Sequence, residues 1–393
     1  MGMLDDDDNV SLPTEGLESS NVGSRLRTML RSEYIAKLPP DSVYSRAISP
    51  HCRDYKILYS AKPKTILICQ SPFNPDARAA ALELEEFITS ALNVNVVMDE
   101  MPLAQETNFK VYAGQLARER VEGPSYSSVD LVISIGGDGT ILNVCRLFSR
   151  SVPPVIGLSM GSLGYMAKFK MDDVKNILQK IDTKGFNISL RARLIVKLLD
   201  ENEHVVRKFT ALNECVVDRG ISPYITTLDV YYDGNYLTTV SGDGLLVATP
   251  SGSTAYSMSA GGPIVHPNVR SMLFTVICPH SISYRPLVLP ADSQIEIAVP
   301  QDNRGDVRLC VDGYNCGMLK HGESVRIACA EHAFPLVLPD DAETVTEWCK
   351  SLREHLHWNF RVRQKRLYTK GDTNVDDPDD TETETTKVDT MAN

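Results

Sequence analysis

The five residues Gly136-Gly137-Asp138-Gly139-Thr140 combine types that can do chemistry. Three glycines in four positions let a backbone come close to a ligand. The amides of such a loop, beside a helix start, suit phosphate oxygens. The carboxylate in its middle is the stronger clue, because an Asp beside phosphate is electrostatically costly unless it takes a proton or meets a metal. Gly-Gly-Asp-Gly is also an ordinary turn composition, and the flanks separate the two readings. The apolar run Leu131-Val132-Ile133-Ser134-Ile135 precedes it and a helical stretch from Thr140 to Phe148 follows, giving strand, tight loop, helix. The motif is neither a Gly-x-x-x-x-Gly-Lys loop nor a Gly-x-Gly-x-x-Gly fingerprint.

A second stretch of chemical interest runs from Ser241-Gly242-Asp243-Gly244 through Leu245 to Ala248 and on to Thr249-Pro250-Ser251-Gly252-Ser253-Thr254-Ala255-Tyr256-Ser257-Met258-Ser259-Ala260-Gly261-Gly262-Pro263. It joins an acidic glycine loop, a buried strand, a Pro-Ser-Gly turn and small hydroxyl residues that can cap a helix. Thr254 and Ser259 offer hydroxyls and Tyr256 a ring face, among side chains small enough for a flat polar ligand to approach. Taken alone, a Gly/Ser loop before a helix explains part of this, but not two acidic glycine loops in one chain. The pair Asn213-Glu214 carries no signal by itself.

Elements that must position these residues follow from periodicity. Lys64 to Cys69, Val94 to Met98, Leu131 to Ile135 and Pro154 to Leu158 read as strands, with helices from Pro75, capped by Asp76, and from Asp172 to Ile181. Alternating strands and helices imply a parallel sheet whose carboxyl edge gathers ligands. The Gly136 loop and a second turn, Gly161-Ser162-Leu163-Gly164-Tyr165, both fall at that edge and should face one cleft. After about residue 187, ten short strands between Leu194 and Ala328 follow one another, separated by turns such as Asp233-Gly234-Asn235 and Asp312-Gly313.

The expected organisation is a flexible N-terminal extension (1–55), an α/β domain (56–208), a β-rich domain (209–338), a helical segment packing on the body (339–367) and a disordered acidic tail (368–393). Residues 101 to 129 should hold a loop and a short helical piece. In the 339–367 segment Val345, Trp348, Leu352 and Leu356 share one helical face.

Composition bounds the function. The 393 residues fit two or three domains, and 42% hydrophobic with 23% charged residues is ordinary for a globular protein. A formal charge of −11 argues against a nucleic-acid binder, which needs a basic surface. Nine cysteines are scattered with no Cys-x-x-Cys pair, which points to reduced thiols and gives no zinc pattern. Cys278-Pro279-His280 reads as a ligand pair or as a strand end. No apolar run of about 20 residues is present, so no membrane span is expected. The acidic start, with Asp5 to Asp8 after Met1-Gly2-Met3-Leu4, differs from a basic leader or a myristoylation signal, and the expected address is the cytoplasm.

Together, Gly136-Gly137-Asp138-Gly139-Thr140, Asn213-Glu214, Gly242-Asp243-Gly244 and Thr249 to Tyr256 resemble the NAD kinases, which phosphorylate NAD to NADP. The resemblance spans roughly residues 60 to 335, with Gly161 to Tyr165, Ser259 to Pro263 and Ser283-Tyr284-Arg285-Pro286 inside it. Diacylglycerol and sphingoid lipid kinases and phosphofructokinases share a loop like the first motif, whereas the long motif is specific. The resemblance implies a parallel-sheet, Rossmann-like α/β domain followed by a β-sandwich-like domain, with substrate between them. It implies that Asp138 is the proton acceptor for the adenosine ribose 2′-hydroxyl, receiving the γ-phosphate of ATP. It further implies that Gly136, Gly137, Gly139 and Thr140 form the phosphate loop, that Gly139, Asn213, Glu214, Asp243, Thr254, Ala255, Tyr256 and Ser259 contact NAD, and that Gly161, Leu163, Gly164 and Tyr165 line the cleft. Mg2+ would arrive with ATP rather than on a protein motif, and the protein would be a homo-oligomer, a dimer-based tetramer or higher. Ser241 stands where some NAD-restricted members carry Arg, which leaves NAD and NADH both open as acceptors. A lipid kinase and a silent NAD(P)-binding sensor are the competing readings; the long motif speaks against the first and the intact Asp138 against the second.

Overall fold

Apolar runs too short for helices and rich in Ile, Val and Leu make the buried strands of the first sheet. In the computed structural model, residues 43–47, 54–59, 62–72, 74–99, 129–339 and 342–360 are described. The expected N-terminal extension up to residue 42, the 101–128 segment and the acidic tail lie outside them.

Eight strands form that sheet in the order β1 (Val43–Ala47), β2 (Asp54–Tyr59), β7 (Phe186–Arg191), β20 (Phe334–Val337), β6 (Val155–Ser159), β5 (Leu131–Gly136), β3 (Thr65–Gln70) and β4 (Asn95–Asp99). From β20 to β4 every pairing is parallel, and β7, β2 and β1 add an antiparallel edge. Ile66, Ile68, Leu131 and Ile133 are fully buried, each contributing about 1.5–3 kcal/mol by leaving water. Helix α1 (Pro75–Phe87) packs on this core through Ala77, Ala81 and Leu84. Its cap is Asn74, whose side chain accepts the Asp76 N–H at 2.9 Å. Asp76 was expected in that role; Pro75 occupies the first helical turn, so the cap falls one residue before it.

The strands that follow build a sandwich of two antiparallel sheets. One has the order β15 (Leu287–Pro290), β14 (Ser271–Ile277), β13 (Gly244–Ala248), β10 (Glu214–Asp218), β17 (Val307–Val311) and β18 (Tyr314–Leu319). The other has the order β12 (Asn235–Gly242), β11 (Thr226–Tyr232), β16 (Gln294–Ala298), β19 (Ser324–Cys329), β8 (Leu194–Leu199) and β9 (Val205–Ala211). Val196, Leu228, Ile295 and Ile327 from one face meet Val217, Leu245, Phe274 and Leu309 from the other in a single core.

The chain therefore leaves the α/β sheet after Arg191 and returns to it at β20. A boundary at 208/209 cuts β9 (Val205–Ala211). Fully buried Arg193 sits at the crossing and donates to the carbonyls of Phe148, Arg150 and His332. Thus it ties helix α2 (Asp138–Leu147) to the second domain. Among the described residues the further α-helices are α3 (Met171–Gln179), the single turn α4 (Tyr256–Ser259) and α5 (Thr344–Glu354).

Candidate active site

β5 and β6 are parallel neighbours, with Gly136 paired to Ser159, so the two glycine turns leave adjacent strand ends side by side. Asp138 opens α2, where a carboxylate is favoured by the helix dipole. One of its oxygens accepts the Tyr165 N–H at 2.9 Å, and the other accepts those of Met166 and Ala167, each at 2.9 Å. The sequence left only a metal or a proton to offset this charge; the structure supplies three backbone donors instead. A Cβ on Gly164 would collide with the same carboxylate, so glycine there is required by close approach. Above Gly137, Gly139 and Gly161 the space is open, as a phosphate-cradling backbone needs. Thr140 is buried, its N–H on the Gly137 carbonyl at 3.0 Å.

From this turn, contacts lead into the second domain. The Tyr165 hydroxyl lies near Thr254, and burial pushes its pKa up. Thr254 ends a short 3-10 turn (Ser251–Thr254) and Tyr256 begins α4. No hydroxyl caps that helix, contrary to the expectation from the sequence. The Thr249 hydroxyl donates instead to the Leu212 carbonyl at 2.6 Å and accepts the Gly252 N–H at 3.0 Å. The Tyr256 backbone lies near the Glu214 carboxyl, which is buried with Oε2 unpartnered within the protein. Burial pushes Glu214 up to about 8, with the Asp312 charge adding to it. The proton that it then carries gives it a donor as well as acceptors.

Asp138, Gly164, Tyr165, Thr254, Tyr256 and Glu214 thus lie in a line of neighbours, with Asn213 and Ala255 adjacent in the chain. Leu163 lies half-buried in the second turn. Asp243 sits off this line. It forms an ion pair with Arg219 at 2.7 Å, and that bond holds its carboxyl below the usual range. Its loop is the corner at which the chain passes from β12 to β13, hence from one sheet to the other. Gly244 has φ +156°, and a Cβ there would meet the backbone of Val217 and Asp218. The glycines of the second acidic loop are therefore demanded by packing. Ser259 is exposed, with no hydrogen bond from its side chain to the other candidate residues among those described. Cys278 follows β14 directly and lies near the Asp243 carboxyl. Among the described residues no three His, Cys, Asp or Glu side chains gather to hold a metal ion.

Comparison with known proteins decides the family. A domain model described as "ATP-NAD kinase N-terminal domain" matches residues 66–186, and one described as "ATP-NAD kinase C-terminal domain" matches residues 212–338. This chain belongs to the NAD kinase family. It is 36% identical over 327 residues to "NAD kinase 2, chloroplastic" of Arabidopsis thaliana, covering 81% of this chain and 33% of that protein. It is 38% identical over 252 residues to "NAD(+) kinase" of Saccharomyces cerevisiae, covering 60% and 46%. The chain thus spans only part of the length of these curated relatives. The crystal structure of yeast NADH kinase complexed with NADH matches with a TM-score of 0.69 at 28% identity, over 86% of this chain and 98% of that one. An NAD kinase from Archaeoglobus fulgidus in complex with ATP shares the fold, at a TM-score of 0.54 and 22% identity.

Two residues of this chain escaped sequence reasoning. Asp312 looked like a hairpin turn, and with φ +47° it is one. Its buried carboxylate also accepts the N–H groups of Leu212, Asn213 and Glu214 at 2.7, 2.8 and 3.0 Å. Burial outweighs those bonds and raises its pKa to about 6. Lys168, one residue beyond the Asp138-holding amides, is buried against α5. For Asp312 the available signal was an Asp at a turn whose neighbours Val311 and Tyr314 are apolar; for Lys168 there was none.

Proposed function

We propose that this chain is an ATP-dependent NAD kinase that moves the γ-phosphate of ATP to the 2′-hydroxyl of the adenosine ribose of NAD or NADH. The observation that carries this reading is Asp138, fixed by three amides at the open glycine turn, one of them from Tyr165, whose side chain lies near Thr254 of the second domain. Phosphoryl transfer asks for positioning and charge neutralisation more than covalent chemistry. The open backbone at Gly137 and Gly139 is suited to the phosphates, and Asp138 to accepting the proton of the attacking hydroxyl.

Asn213, Glu214, Thr254, Ala255 and Tyr256 are suited to the dinucleotide on the other side of the cleft, with Gly161, Leu163 and Gly164 between. Asp243 and Ser259 are included through family resemblance alone. Mg2+ would enter as part of the ATP substrate, since a magnesium ion commonly keeps its waters and leans on phosphates. A homo-oligomer and a cytoplasmic address complete the proposal; the second is supported by eight unbridged cysteines among the described residues.

The test is production of NADP or NADPH by purified protein given ATP, Mg2+ and either NAD or NADH, read with an NADP-specific dehydrogenase. Product from either acceptor supports the reading. A folded protein that binds NAD and makes none would favour the sensor.

A further inference from the structure

The C-terminal helix was expected to dock through Val345, Trp348, Leu352 and Leu356. Of these, Trp348, Leu352 and Leu356 are half-buried and Val345 is exposed, while the fully buried positions are Thr344, Glu347 and Ser351. The reason is that its partners are polar. The Thr344 N–H donates to buried Asp54 at 2.7 Å, its hydroxyl bonds the same carboxylate, and it meets the Ser189 hydroxyl at 2.7 Å. Trp348 packs edge-on against His266, with ring centroids 4.9 Å apart.

Ser351 and Glu347, one helical turn apart, both face Lys168. The Lys168 ammonium donates to Ser351 Oγ at 2.7 Å and lies 3.7 Å from the Glu347 carboxylate. The Lys168 and Glu347 side chains are only 9% and 11% exposed. An ammonium held so far from water is costly unless paired, so this lysine has a fixed place. It immediately follows Ala167, the last of the three residues whose N–H groups hold Asp138.

We propose that Lys168 is a positioning residue for Asp138: anchored on Ser351 and Glu347, it fastens the 164–168 turn to α5 and so keeps the three amides aligned on the carboxylate. The helix acts on the site through Lys168, and Thr344 only holds the far end of the helix to the sheet. This rests on the kinase reading for its catalytic consequence, but the alignment itself is independent of it.

The test is hydrogen exchange at the Tyr165, Met166 and Ala167 amides together with steady-state kinetics, in Lys168→Met, Lys168→Arg, Ser351→Ala and Thr344→Val. Lys168→Met should speed exchange at those amides about tenfold and lower kcat about tenfold, with KM for NAD within about twofold. Lys168→Arg should recover part of both, and Thr344→Val should change neither. Unchanged exchange in Lys168→Met, or acceleration spread over the whole α/β sheet, would overturn the proposal. Should Lys168→Met fail to fold, Ser351→Ala reads the same amides with the same two outcomes. A wild-type protein that makes no NADP removes the kinase reading and leaves the exchange result to decide this one.

Discussion

The Asp312 carboxylate accepts the backbone N–H of Asn213 at 2.8 Å, so the tip of the hairpin between β17 and β18 fixes the strand start that carries the Asn213-Glu214 pair. Together with the Leu212 and Glu214 amides this makes three bonds from one buried carboxylate. Asp312→Asn is tolerated by the positive φ but replaces the oxygen that serves Leu212 or the one that serves Asn213 and Glu214. We expect KM for NAD to rise about tenfold, with a stability loss of about 1–3 kcal/mol in urea unfolding. An unchanged KM for NAD would show that the brace does not matter to the pair.

Gly164→Ala places a methyl against the Asp138 carboxylate in a turn whose φ needs no glycine. The carboxylate must move or the turn must open. A fall in kcat on the order of 100-fold is expected, as for other misplaced catalytic groups, with a melting temperature near wild type. Wild-type turnover would mean that the turn yields without disturbing Asp138.

Glu214 gives the protein a pH dependence of defined sign. Its folded pKa, about 8, lies above the ordinary value of a free carboxyl. The folded state therefore keeps a proton that the unfolded chain releases. Its contribution to stability is fully present below the unfolded pKa and is lost as pH rises through about 8. In Glu214→Gln this decline should flatten, as read from melting temperatures between pH 5 and 9. The same slope in both proteins would remove Glu214 as its source.

Thr344→Val leaves the Asp54 carboxylate buried with its hydroxyl partner gone. We expect about 1–3 kcal/mol of destabilisation by chemical denaturation. A loss below about 0.5 kcal/mol would show that the remaining N–H bond suffices.

The parts legible in the sequence were those written locally. β5, the Gly136 turn and α2 stand in one continuous stretch, and the hairpin at Asp233-Gly234 is announced by its own residues. β20 was not legible, because four residues after a whole intervening sandwich give no local sign that they return to the first sheet. Asp312 was read as a turn because its bonds reach residues about 100 positions away, which no periodicity reports. The most buried positions of α5, Thr344, Glu347 and Ser351, were missed for a related reason, although Trp348, Leu352 and Leu356 are half-buried. Apolar spacing marks a buried face only when the partner is apolar, and here the partners are Asp54, Ser189 and Lys168.

The most direct test of the account is NADP formation from NAD, ATP and Mg2+ by wild type and by Asp138→Asn. Asparagine keeps the oxygen that serves Met166 and Ala167 and loses only the acceptor for Tyr165, so the fold should survive. The account predicts NADP from wild type and a loss on the order of 100-fold or more in the variant, at a melting temperature within a few degrees. Turnover by Asp138→Asn equal to wild type would contradict it.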